Sequence, residues 1–141
     1  MVDSSNNSLL QIVLHIEDGN GFTFIDQTAK VYFVATLNGI SLDSVPVEAG
    51  KPTEFNTELV WEVKRKDLRE LKLSNKSIKV EFFSIKKEEH IKLGYLMVCL
   101  KSAPSVLPGT SEIYKKSWSK LLGVSSTNRV FPTRNIMASF Y

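Results

Sequence analysis

The chain has 141 residues, 43% of them hydrophobic and 23% charged, with a formal net charge of +3. This length suits one domain that buries about two-thirds of its unfolded surface, so folding requires neither a metal nor a disulfide. The single cysteine, Cys99, excludes an internal disulfide framework, and no apolar stretch approaches the ~20 residues of a membrane span.

The polar start, MVDSSNNSLL, lacks the basic and apolar regions of a signal peptide, which predicts a cytosolic protein or a fragment of one. The Asn75-Lys76-Ser77 sequon is then an empty match. Residues 1–8 read as a flexible N-terminus, and 9–141 as a single domain. Leu10, Ile12, Leu14 and Ile16 alternate with Gln11, Val13, His15 and Glu17, the period of two of a half-buried strand, which Asp18-Gly19-Asn20-Gly21 is expected to break. Val31, Phe33, Ala35 and Leu37 form a second strand closed by Asn38-Gly39. A loop is predicted over 39–54, where Pro46, Gly50 and Pro52 fall. Leu59, Trp61 and Val63 then alternate with Glu58, Val60 and Glu62. Lys66 to Leu73 reads helical, with Leu68 and Leu71 on one face. The runs Ile78–Ile85 and Ile91–Leu100 bound a charged insert, Lys86-Lys87-Glu88-Glu89-His90, expected at a loop tip. A second loop covers 102–113, and Asn135 to Tyr141 can close a sheet. Six or seven short strands with turn residues between them predict an all-β sandwich or barrel.

The candidate chemistry is sparse. An enzyme needs a nucleophile, base and stabiliser, or a metal. His15 lies in the outward phase of its strand and is expected on the surface. His90 adjoins two carboxylates, but at a tip water screens charge and provides no low-dielectric pocket. Cys99 lacks an adjacent histidine and reads as a reduced, buried core thiol. No phosphate-loop, dinucleotide, zinc-protease, nucleophile-elbow or CxxC spacing occurs. The reading is of a non-enzyme with no cofactor and no metal.

Charge is distributed unevenly. Residues 1–63 hold two Lys/Arg against nine Asp/Glu, whereas 64–120 hold fourteen against six. Lys64, Arg65, Lys66, Arg69, Lys72, Lys76 and Lys79 form the densest basic run, with Lys86, Lys87 and Lys92 as a second cluster. These ten are the candidate partner-binding residues. Stacking aromatics are not interleaved with them and no recognition helix is evident, so nucleic acid is not the expected partner. An acidic protein surface or anionic lipid is, with a merely solubilising face as the alternative.

The stretch FNTELVWEVKRKDL, residues 55–68, gives the pattern a family. Phe55, Thr57-Glu58-Leu59, Trp61-Glu62, Arg65-Lys66 and Leu68 resemble the N-terminal C2 domain of the 120-kilodalton centrosomal protein family. The likeness continues through Ile78-Lys79, Gly94-Tyr95 and Trp118…Leu121-Leu122, and so spans about residues 9–141. It implies an eight-stranded antiparallel β-sandwich, a role in centriole assembly and cilium formation, and a native protein with further C2 domains and a coiled coil. It also implies binding of tubulin or microtubules and of other centriolar proteins, in the cytoplasm at the centrosome.

In calcium-binding C2 domains, a loop after an apolar strand supplies aspartates spaced D-x-D and a further acid, because calcium takes six to eight oxygen ligands. Aligned on this sequence, those positions fall on Ser84, Lys86 and Ile91 or Lys92; an ammonium offers calcium no lone pair. Asp18 and Asp26 remain near the first loop, too few for a site. Calcium-independent binding is the expectation. The alternatives are a peripheral binder of anionic phospholipids, inserting Phe22, Phe24 and Ile25, and a purely structural C2 module.

Overall fold

The computed structural model describes residues 9–20, 28–50, 53–100, 117–122 and 135–140. Nine strands and one helix occur among them: β1 (Leu9–Asn20), β2 (Lys30–Leu37), β3 (Ile40–Asp43), β4 (Val47–Glu48), β5 (Thr53–Lys64), α1 (Arg65–Leu73), β6 (Ser77–Lys86), β7 (Glu89–Cys99), β8 (Ser117–Lys120) and β9 (Asn135–Phe140). They form two antiparallel sheets facing each other across one core, a β-sandwich. The first has order β5-β1-β9-β8; the second has order β3-β2-β6-β7, with β4 also on β2.

Period-two patterning makes the sandwich, because each strand buries one face. Ile12, Leu14 and Ile16 of β1 and Phe55, Leu59 and Trp61 of β5 point inward from the first sheet. Val31, Phe33, Ala35 and Leu37 of β2 and Ile78, Val80 and Phe82 of β6 meet them from the second. The rings of Phe33, Phe55 and Phe82 interlock at centroid distances of 5.5 to 5.7 Å, joining the two sheets. Trp61 is buried, and its indole Nε1–H donates to the Ile40 carbonyl at 3.2 Å, tying β5 to β3.

Several sequence expectations change. The first strand does not end at Asp18: β1 continues to Asn20, pairing Asp18 with Glu54 and Gly19 with Thr53, with an irregularity between Ile16 and Asp18 that absorbs the break. The loop expected over 39–54 contains β3 and β4. Asn38 and Gly39 both take positive φ, 48° and 82°, the backbone of a tight two-residue hairpin that returns the chain at once. The helix begins one residue early, at Arg65. Cys99 is exposed rather than buried, because Leu96, Val98 and Leu100 take the inward phase of β7 and leave Met97 and Cys99 outside. His90 does not sit at a tip. Lys86 pairs with Glu89, so the turn contains only Lys87 and Glu88, and His90 lies within β7 opposite Ile85. The expectations for residues 1–8 and 102–113, and for Phe22, Phe24, Ile25 and Asp26, lie outside the described residues.

The two late motif fragments, Gly94-Tyr95 and Leu121-Leu122, turn out to be one contact. The Tyr95 N–H donates to the Leu122 carbonyl at 3.0 Å, and the Leu122 N–H returns a bond to Tyr95 at 2.7 Å. Two residues after leaving β8 in the first sheet, the chain is therefore bonded to β7 in the second.

Candidate functional site

The densest basic run is gathered by α1. Lys64 stands at the N-cap, Arg65, Lys66, Arg69 and Lys72 are on the helix, and Lys76 follows it. All but the half-buried Lys72 are exposed. The helix lies against the sandwich through buried Leu71 and half-buried Leu68, which fixes the charged side outward. Its end is held by Asn75 in the left-handed region (φ 57°): Asn75 N–H donates to Lys72 and Lys76 N–H to Leu71, a Schellman-type stop. Six cations thus stand against Asp67 and Glu70 at one end of the sandwich.

The N-terminal geometry is electrostatically adverse. Lys64 makes no side-chain cap, and Lys64, Arg65 and Lys66 crowd the positive end of the helix dipole, with only Asp67 in the first turn to offset them. Local stability would favour Ser, Asp or Glu there.

The remaining candidates do not join this cluster. Lys79 points from the outer face of β6, and Lys92 from β7 comes to the same place. Their Nζ atoms lie 5.2 and 5.6 Å from the Tyr95 ring centroid, and Lys92 pairs with Glu81 at 2.8 Å. Lys86 and Lys87 occupy the far end of β6, a ten-residue strand that spans about 30 Å. There Glu88 and Glu89 accompany them. The ten residues therefore form three groups: the α1 end, the Lys79–Tyr95–Lys92 surface, and the hairpin tip.

The positions aligned with calcium ligands are strand positions in this molecule. Ser84 is buried and pairs with Val31 on one side and Ile91 on the other, and Lys86 closes the β6–β7 ladder. Among the described residues, no group of three His, Cys, Asp or Glu is placed to hold a metal ion. No helix among them is long and apolar enough to cross a membrane.

The histidines are both engaged in hydrogen bonds. His15 keeps its outward phase but is half-buried, with Nε2 3.0 Å from Asn56 Oδ1. The Tyr32 hydroxyl is 2.7 Å from His90 Nδ1, and Tyr32 stacks on Phe83 at 5.3 Å. Burial, then the nearby Asp43 charge, pushes the Tyr32 phenol above its ordinary value of 10.0.

Two surfaces are not foreseen from the sequence. An open groove of about 630 Å³ runs between β3, β5 and α1, walled by Leu37, Ile40, Leu42, Trp61, Val63 and Leu71. Beside it, Glu54, Glu58 and Glu62 stand exposed in one row on the outer face of β5. Their spacing of four is visible in the sequence; that β5 is a sheet edge is not.

No protein-family model matches the chain. Among curated proteins it is similar to the human "Centrosomal protein of 120 kDa", 32% identical over 101 residues, 70% of this chain and 10% of that protein. The mouse protein of the same name is 34% identical over 105 residues, 73% of this chain and 10% of that protein. The chain spans about a tenth of the length of these curated relatives. Among solved structures it is similar to a C2 domain of plant extended synaptotagmin 1, with a TM-score of 0.63, 12% identity and 92% of each chain covered.

Proposed function

Because this chain is a C2 domain like that of the 120-kilodalton centrosomal proteins, we propose that it is a non-catalytic, calcium-independent module that binds tubulin or microtubules at the centrosome. The observation that supports this most is the α1 end, where six cations are held together, three of them at helix positions that disfavour positive charge. Residues that work against local stability point to a role in recognition. Microtubule surfaces are acidic, and an exposed basic cluster attracts them strongly at low salt, with the attraction screened beyond about 10 Å at 0.1 M. Calcium independence is supported by Ser84 and Lys86 standing at the ligand positions inside a paired hairpin.

Cosedimentation with microtubules and, separately, with anionic liposomes tests this reading, each with calcium and with chelator. The domain is expected to pellet with microtubules in both conditions and to be released by salt. Reversing charge at Lys64→Glu, Arg65→Glu and Lys66→Glu should abolish most of the binding. Pelleting with liposomes alone would replace the reading with lipid binding; binding unchanged by the reversal would remove the α1 end from it. A calcium-dependent rise in Tm would overturn calcium independence.

A further inference from the structure

We propose that β5 accepts an added β-strand from a partner protein, and that the incoming segment alternates basic and apolar residues. Three features of one edge converge on this. First, β5 is twelve residues long and pairs, among the described strands, with β1 alone; beyond Asn56, whose φ of 41° interrupts the extended backbone, the other edge of residues 57–64 presents backbone donors and acceptors in register for another chain. Second, the outer face of that edge carries Glu54, Glu58 and Glu62, successive members about 13 Å apart. Their β1 neighbours are Asp18, His15 and Gln11, and none of the three glutamates forms an ion pair among the described residues. Third, the inner side of the same edge opens on the apolar groove, where Ile40 is 58% exposed beside the buried Trp61.

The period of two then dictates the ligand. In a strand laid along β5, alternate residues face outward and meet the glutamates at cross-strand distance, where Lys or Arg is favoured and Asp or Glu is repelled. The intervening residues face inward over Ile40, Leu42 and Trp61, where Val, Ile or Leu excludes water. A second copy of β5 is a poorer occupant. Antiparallel pairing centred on Glu58 would set Glu54 against Glu62 and Glu58 against its own counterpart. This surface adjoins the α1 cations, sharing Lys64 and Lys76 with the groove wall, whereas Arg65, Lys66 and Arg69 do not line it.

The probe is a fluorescent, end-blocked octapeptide of alternating Arg and Val, followed by anisotropy. Two controls accompany it: the same composition as an Arg block followed by a Val block, and the alternating peptide N-methylated at every second residue. The alternating peptide should bind at least about tenfold more tightly than either control. The triple variant Glu54→Lys, Glu58→Lys, Glu62→Lys should lose a similar factor, while Arg65→Glu with Lys66→Glu, outside the groove lining, should leave peptide affinity undiminished. If circular dichroism shows the triple variant misfolded, Glu58→Lys alone carries the test and should still weaken binding. Equal binding of the block or N-methylated peptide, or indifference to Glu58→Lys, would overturn strand addition. So would sedimentation velocity showing a dimer that excludes the peptide, which would assign the edge to a second copy.

Discussion

Gly94 is where a single missing atom matters most. Its φ of 155° disfavours a side chain, and a Cβ there would meet the Leu122 carbonyl oxygen at 3.0 Å and Leu121 Cβ at 3.1 Å. Gly94→Ala should cost about 1–3 kcal/mol in urea denaturation, by straining the backbone and displacing the segment bonded to Tyr95. Tyr32 supplies a pH signature. Its folded pKa lies above the ordinary 10.0, so the folded state holds the phenol proton more tightly than the unfolded chain does. That stability is complete below about pH 10 and declines as pH rises through the folded value. Melting temperature measured from pH 8 to 11 should fall at the alkaline end, less steeply for Tyr32→Phe. At this scale the sequence is legible for phase and silent on register. Membership of an apolar run suggests burial for Cys99, yet Leu96 and Val98 already set the opposite parity, and parity decides.

Among elements, α1 shows function and stability in opposition. Replacing the N-cap, Lys64→Ser, should raise stability by about 0.5–2 kcal/mol while weakening microtubule binding, measured as denaturation midpoint and cosedimentation on one preparation. A variant that gained both would show the lysine to be incidental. The strong strands, β1, β2, β5, β6 and β7, are readable because each alternates over six residues or more. Two short ones, β3 and β4, are hidden in a Pro- and Gly-containing stretch, since four and two residues carry too little periodicity. The hairpin at Lys87-Glu88 looks like a five-residue insert when charge is equated with loop. In fact Lys86 and Glu89 are paired across the ladder, and exposed strand ends tolerate charge.

At the level of the whole molecule, the acidic first half and basic second half of the sequence become places. The first supplies the glutamate row on β5, and the second supplies the cations of α1 immediately beyond it. Proximity along the chain does not predict which lysines meet: Lys79 and Lys92 converge on Tyr95, while Lys86 lies a strand-length from the helix. The all-β sandwich follows from patterning and its C2 form from the family resemblance, whereas the three-way division of the basic residues depends on register, which emerges only when all strands are assembled.

The order of the first sheet has a consequence for how the domain comes into being. The strand β9 is an interior strand, inserted between β1 and β8. Among the described residues, β8 has no other sheet neighbour, so residues 135–140 join the opening of the domain to its late segment. During synthesis, β1 can pair with β5 while the rest is still in the ribosome, but its other edge stays bare until β9 emerges. Through that interval the nascent chain exposes a half-finished sheet, with the free edge of β1 covered only once residues 135–140 reach it.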